Sequence, residues 1–164
     1  MTSSIPDLIA NDPIVARNFY LEIQGDTKDK LLLQSVSGIE IELDVVPLQQ
    51  NGKDGRQQHI KTLGGVLKAP DITLTRVAPL DAAADPVWKW FDLIRTKGMK
   101  AASRNEYRRN GSIILYDSSY TEVGRYNWYN GWPSKIAVDQ MSTDSNEPMK
   151  ETITLVIERI ERIK

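Results

Sequence analysis

The chain has 164 residues with 21 basic and 22 acidic side chains, a formal net charge of −1. A chain of this length can bury a complete hydrophobic core, so we expect one folded domain. The balanced charge produces no field that would collect nucleic acid or an anionic membrane, and a sequence without cysteine excludes disulfides and thiolate metal sites.

The first 13 residues contain two prolines and few apolar anchors, so we expect an arm at 1–13 that becomes ordered against a partner. This segment has neither a basic start nor a long apolar run, so it predicts neither a secretion signal nor a membrane anchor. The folded domain is expected over 14–164. Its first strand is predicted at 17–23, where Phe19, Leu21 and Ile23 share one side.

A long extended ribbon is predicted over 31–46. In its second half, aliphatic side chains expected to point inward alternate with acidic side chains expected to point outward. These two sets are Ile39, Ile41, Leu43 and Val45, and Glu40, Glu42 and Asp44. Residues 47–65 are polar and contain several glycines, which predicts a long connection of the functional or disordered kind.

The clearest helix is predicted at about 85–97, after a strand at 71–77. Asp85 can cap it, Pro86 suits the first helical position, and Gly98 supplies the stop. Val87, Trp90, Phe91 and Ile94 recur at helical spacing, so this helix lays an apolar stripe on the sheet. The following segment, 99–111, is basic and predicted to be irregular.

A β-hairpin at the centre of the core is predicted within 112–136. Ile113 and Leu115 precede a turn at 117–120, and Tyr126 and Trp128 follow it at the same strand spacing. Each arm therefore offers one apolar face.

A bend is predicted at residues 131–133. Pro133 cannot donate to a sheet ladder and Gly131 relaxes the backbone, so the chain is expected to leave one sheet here and enter another, with a fresh extended start at Ser134. After a polar loop, 152–163 is predicted as a strand. The helical alternative for its second half, suggested by Ile160 and Ile163, is not preferred.

Patterns for catalysis are sparse, so we predict no enzyme and no cofactor. The single histidine, His59, lies in a polar segment without a neighbouring nucleophile or metal partner. Glu40, Glu42 and Asp44 share a strand face but lack the oxygen-rich, glycine-containing turn of calcium loops, so we predict no metal site. The sequence contains neither a phosphate-binding loop nor a dinucleotide fingerprint.

Two clusters allow a binding interpretation beside a structural one. The aromatic residues Tyr126, Trp128, Tyr129 and Trp132 could stack on sugars in a soluble carbohydrate-binding β-sandwich module, or they could form core and bend. The cluster of Arg104, Arg108 and Arg109 could contact phosphate, or it could form a solvated or subunit-facing patch.

The chain resembles the tail-tube proteins of contractile phages and of phage-derived extracellular contractile injection systems. The resemblance covers about residues 14–163 and follows the order KAPDITLTR, a short helix with Trp88 and Trp90, SIILYDSSYTEVGRYNWYNGWPSKI and STDSNEPMKETITLVIERI. Its most specific parts are Asp117, Asn130 and residues 145–147. The chain departs from relatives at Arg76-Val77, where they often carry a basic residue followed by glycine.

The resemblance implies a mainly β fold: a single-domain β-sandwich or small barrel with one flanking α-helix, similar to haemolysin-coregulated proteins of type VI secretion. Six copies would form a ring, and rings would stack into the rigid inner tube that a contracting sheath drives into a target. The implied partners are further copies, the sheath protein, the baseplate and spike hub, and tube-terminating proteins. Cargo or DNA would pass through the lumen without specific binding. The subunit would assemble in the bacterial cytoplasm, without membrane insertion, into an injection particle or virion.

The resemblance also implies roles for two sets of residues, and the residue patterns described above assign a third set to core and bend. The inter-ring contact loop would comprise Gln49, Gln50, Asn51, Gly52, Lys53, Asp54, Gly55, Arg56 and Gln57. The lumen-facing residues would be Glu40, Glu42, Asp44, Arg125 and Asn127. Core and bend would rest on Trp90, Phe91, Tyr126, Trp128, Trp132 and Pro133.

Overall fold

The computed structural model describes residues 17–24, 30–98, 100, 102 and 104–164. The predicted arm at 1–13 lies outside the described residues. The elements in chain order are β1 (Asn18–Ile23), β2 (Leu31–Leu33), β3 (Ser35–Ser37), β4 (Glu42–Asn51), β5 (Gln57–Lys68), β6 (Ile72–Val77), α1 (Pro86–Lys97), α2 (Arg104–Tyr107), β7 (Arg109–Tyr116), β8 (Glu122–Val138), β9 (Lys150–Val156) and β10 (Arg159–Arg162).

The main sheet has eight strands, which confirms the prediction of a mainly β fold. Its order is β2-β1-β7-β8-β9-β6-β3, with β10 added beside β8. The end strands β2 and β3 are separated in the chain by Gln34 alone, whose amide donates to the Thr75 carbonyl at 2.7 Å. The sheet is not closed by pairing between these ends, but this one-residue link turns its two halves toward a common core.

Strand β8 belongs to both halves of the sheet. Up to Gly131 it pairs with β7 and β10, and from Trp132 onward it pairs with β9. The predicted change of sheet therefore occurs at the expected place. The predicted break does not occur, because the strand continues and absorbs the change through a register shift between Pro133 and Lys135.

The core fills the space between the two halves of the sheet and α1. Leu21, Ile23, Ile113, Ile153 and Leu155 contribute buried side chains from the three strands β1, β7 and β9, and α1 packs against them. Trp90 of α1 stacks on Trp128 of β8 with ring centres 6.3 Å apart, and its Nε1 donates to the Tyr107 carbonyl at 2.7 Å. These two indoles fix the helix to the sheet.

The flanking helix confirms the prediction in detail. The Asp85 carboxylate accepts from the Trp88 amide at 3.0 Å, Pro86 is the first helical residue, and Gly98 (φ 68°) donates to the Ile94 carbonyl at 2.8 Å. The prediction that 99–111 is irregular is wrong in part, because this segment contains α2 and β7 begins at Arg109. Four residues are too few to produce a periodic signal.

The ribbon predicted over 31–46 is extended in β2, β3 and the start of β4, but it is interrupted over residues 38–41, and the connection predicted at 47–65 is wrong. The ribbon turns away at Gly38 (φ 81°), where a Cβ would lie 2.4 Å from the Asp71 carbonyl oxygen. Strands β4 and β5 then form a separate two-stranded sheet in place of a connection. Leu43 and Val45, predicted to point inward, are 54% and 53% exposed. Ile41 is equally exposed.

The chain ends in strand structure, as predicted. Strands β9 and β10 are separated at Ile157 and Glu158, and β10 returns to the first half of β8, where Ile160 pairs with Trp128. Ile153, Leu155 and Ile157 are buried in the predicted alternation. Within the described ranges, the helices are too short or too polar to cross a membrane.

Candidate assembly surfaces

The main exposed apolar surface is the protruding hairpin, residues 42–68, formed by β4 and β5. Val45 pairs with Leu63, and Leu48 pairs with Ile60. Because cross-strand partners share a face and the two pairs lie an odd number of residues apart, one pair lies on each face of the hairpin. Their exposed fractions range from 43% to 67%. A two-stranded hairpin with apolar side chains exposed on both faces is marginal unless something packs against it.

The predicted inter-ring residues occupy the tip of the protruding hairpin. Gln50 pairs with Gln58 and Asn51 with Gln57, and the turn between them is held by the Gly52 amide, which donates to the Arg56 carbonyl at 2.8 Å. The tip is polar and exposed. His59 lies in β5, exposed and paired with Gln49.

Three predicted lumen residues lie at the base of the same hairpin. Lys68 contacts Glu42 at 3.4 Å and Asp44 at 3.7 Å, and Glu40 is exposed just before β4. Gly64 makes room for Asp44, whose carboxylate oxygen would lie 2.5 Å from a Cβ at that position. The base therefore mixes acidic groups with a lysine.

The other two predicted lumen residues lie on β8 in the main sheet. Arg125 donates to both carboxylate oxygens of Glu122 at 2.9 and 3.1 Å and to Glu22 at 3.4 Å. The bond from Arg125 lowers the pKa of Glu122 below its ordinary value. Asn127 accepts from the Ser112 hydroxyl at 2.7 Å. The predicted lumen set is thus divided between two sheets, each part with its own polar partners.

The aromatic run does not form a sugar platform. Trp128 is completely buried, and Trp132 lies beneath the Arg108 guanidinium, 4.3 Å from its ring centre. Tyr129 faces Arg159 at 5.2 Å. Phe91, predicted for the core, is half-buried and packs edge-on against Trp88. Carbohydrate stacking requires adjacent exposed rings, which this segment does not offer.

Two members of the predicted arginine cluster share one carboxylate, whereas the third, Arg109, lies over the Trp90 ring at 5.2 Å from its centre. Arg104 and Arg108 both bind Glu158 Oε1, and Asn130 Nδ2 donates to Glu158 Oε2 at 2.9 Å. Burial and the neighbouring charge of Arg104 lower the pKa of Arg108. In the described part of the chain, no three carboxylate or imidazole side chains are grouped to hold a metal ion.

A buried charge cluster was missed by the sequence reasoning. Arg76 donates to both oxygens of the Asp85 carboxylate at 2.8 and 2.7 Å and to Glu151 at 3.2 Å, and all three residues are buried. Trp88 Nε1 also donates to Glu151, at 3.1 Å. A signal was available, because Arg76 and Glu151 occupy inward positions in strands whose other inward residues are aliphatic.

Comparisons with known proteins agree with this geometry. The family described as T4-like virus tail tube protein gp19 matches residues 15–161, while no curated protein matches. A chain of the PVC sheath–tube complex, an extracellular contractile injection system in the extended state, is similar at 20% identity over 98% of each chain, with a TM-score of 0.69. The anti-feeding prophage tube-terminating cap gives 20% identity over 99% of this chain and 98% of that chain, with a TM-score of 0.71. Hcp1 from Flavobacterium johnsoniae gives 15% identity, coverage of 89% and 94%, and a TM-score of 0.50. Since the family match spans nearly the whole sequence, this chain belongs to the T4-like tail tube protein family.

Proposed function

We propose that this tail tube subunit forms six-membered rings, and that the rings stack into the rigid inner tube of a contractile injection system or phage tail. The observation that carries the proposal is the protruding hairpin, whose two faces expose aliphatic side chains. Packing against neighbouring copies would bury both faces. The subunit's role is then mechanical, with no catalytic step.

Ring closure also solves the problem of open strand edges. Within the subunit, β4 and β5 pair only with each other in the described structure, so each has an unpaired edge. Unpaired edges beside apolar faces promote uncontrolled aggregation, and a contact whose rotation closes after a fixed number of copies removes them. A second contact along the axis extends closed rings into a tube.

The particle supplies the remaining partners. Similar chains occur in a sheath–tube complex, in tube terminators and in a baseplate. By analogy, the tube contacts a sheath outside, a baseplate with its spike hub at one end and a terminator at the other. It assembles in the bacterial cytoplasm and becomes part of the particle, with no membrane insertion by this subunit.

Two surfaces of the subunit take separate roles in the proposed tube. The polar hairpin tip, residues 49–57, contacts the adjacent ring. The lumen is lined by Glu40, Glu42 and Asp44 together with Arg125 and Asn127. Mixed polar groups keep a channel wetted and weakly adhesive, so that DNA or protein cargo passes without being held.

Electron microscopy of the purified protein tests the proposal. We expect rings and stacked tubes from the wild type. Replacing residues 51–57 by Asn-Gly joins Gln50 to Gln58 through a two-residue turn suited to antiparallel strands, so this variant should fold. We expect it to form rings but not long tubes.

The outcomes separate the parts of the proposal. Wild-type protein that stays monomeric at high concentration contradicts the tube assignment, and glycan affinity in those monomers would favour the carbohydrate-binding alternative. Tubes of normal length from the shortened hairpin contradict only the role of the tip. A substitution of Lys53, Asp54 and Arg56 by serine controls for the charges that are removed with the tip.

A further inference from the structure

The subunit has two chemically different ends, separated by the strand pair β8–β9. Trp132 pairs with Val156 at one end of this ladder, and Val138 pairs with Glu151 at the other. Seven strand residues span roughly 20 Å. Helix α1 runs from the Val138 end toward the Trp132 end. Its cap Asp85 is joined through Arg76 to Glu151 at the first end, and Trp90, one turn later, donates to Tyr107 near the second.

The end at Trp132 is basic. We define it as residues 97–109, which contain five basic residues and one acidic residue, Glu106. Lys97, Lys100 and Arg104 are exposed. Arg104 and Arg108 share the Glu158 carboxylate, so one negative charge serves two guanidinium groups. The pKa of Arg108 is lowered partly by the charge of Arg104, which is consistent with this crowding of like charges.

The opposite end is acidic. It is the loop 139–149, which contains Asp139, Asp144 and Glu147 and no basic residue. The whole loop is exposed, and the Asp139 amide donates to the Lys150 carbonyl at 3.1 Å, which ties the loop to β9. Glu147 contacts Lys150 at 3.5 Å, so Asp139 and Asp144 are the acids that we select for the test.

We infer that the acidic loop of one copy docks on the basic end of the next copy, so that successive subunits along the tube are joined acid to base. Two complementary patches at opposite ends of one molecule make a head-to-tail contact, which repeats along an axis and has one direction only. Complementary charge would accelerate docking and exclude contacts between like ends. The inference rests on the proposed stacking of rings and names the surfaces that meet in it.

Paired charge reversals test the inference in the full chain. K97E/K100E reverses the two exposed lysines of the basic end and brings residues 97–109 from five basic and one acidic side chain to three of each, and D139K/D144K replaces two of the three acids of the loop by lysine. All four positions are exposed, so folding should persist. We expect each pair to raise the protein concentration needed for tube growth by about tenfold or more at low salt. The four-fold variant carrying both reversals should recover tubes, because the new loop lysines at positions 139 and 144 can pair with the new carboxylates at positions 97 and 100.

The control for K97E/K100E is K89E/K135E, which makes the same change in net charge at exposed lysines outside both ends. It should assemble as the wild type does. Wild-type tubes together with normal assembly of either reversed pair would overturn the inference and leave the tube function intact. Failure of the four-fold variant to recover, with circular dichroism showing that it is folded, would also overturn it. A wild type that forms no tubes contradicts the proposed function itself.

Discussion

Arg76 is a buried cation that joins three elements of the fold. It lies on β6 and forms an ion pair with Glu151, its cross-strand partner on β9. It also binds the Asp85 carboxylate that caps α1. Asp85 therefore serves the helix terminus and the ion pair with one side chain. Charges removed from water are tolerated only when they are paired and hydrogen-bonded, so each member of the cluster depends on the others.

Replacing Arg76 by methionine should lower the free energy of unfolding by about 3–5 kcal/mol, because it leaves two buried carboxylates without their cation. Urea denaturation of the isolated subunit measures the loss. The matched control is Arg95→Met, which removes a guanidinium that contacts Asp92 at 2.9 Å in an exposed pair. An exposed pair is worth at most about 1 kcal/mol, so equal losses in the two variants would contradict the structural role of the buried cluster.

Helix α1 and strands β6 to β9 could be predicted from the sequence because their signals are local. Cap, proline and glycine mark the helix, and the alternation of Ile153 with Leu155 marks a strand whose cover lies in the same chain. The protruding hairpin was mispredicted for a physical reason. The alternation at Leu43 and Val45 indicates that one face of the strand is to be buried. It does not indicate whether the same subunit or a neighbouring subunit buries that face.

The apolar faces of the hairpin should therefore matter for assembly and little for folding. In the variant L48T/I60T, threonine keeps the strand preference and removes an exposed aliphatic pair, so the free energy of unfolding of the monomer should change by less than about 1 kcal/mol. Ring formation, followed by analytical ultracentrifugation, should be lost or strongly weakened.

The neighbouring polar pair on the same face provides the control for this variant. Q50T/Q58T alters the next cross-strand pair on that face without removing apolar surface, and it should still form rings. Normal rings from L48T/I60T would mean that this hairpin face is not buried between copies.

In the whole molecule, the exposed apolar side chains and the paired polar side chains lie on different surfaces. Aliphatic residues that the subunit itself leaves exposed are concentrated on the protruding hairpin, whereas Arg125 and Asn127 on the main sheet are engaged with Glu122 and Ser112. A tube built from such subunits would present satisfied polar groups to its contents and reserve apolar contact for neighbouring copies. The formal net charge of −1 adds little attraction for nucleic acid.

The proposed position of Glu40, Glu42 and Asp44 in the lumen can be tested by changing their charge. E40K/E42K/D44K converts the hairpin base from acidic to basic, and around a ring this would create a band of positive charge. We expect assembled tubes of this variant to retain DNA at low salt and to release it as the salt concentration rises, because the released counterions make such binding strongly salt-dependent. The ratio of absorbance at 260 and 280 nm in purified tubes measures the retention.

The neutral variant E40Q/E42Q/D44N should retain none, which separates gained positive charge from lost negative charge. Lys68 would repel the new lysines at 42 and 44, so the single change Glu40→Lys provides a milder version with the same expected direction. Intact tubes of the triple lysine variant that hold no DNA would place these residues outside the channel.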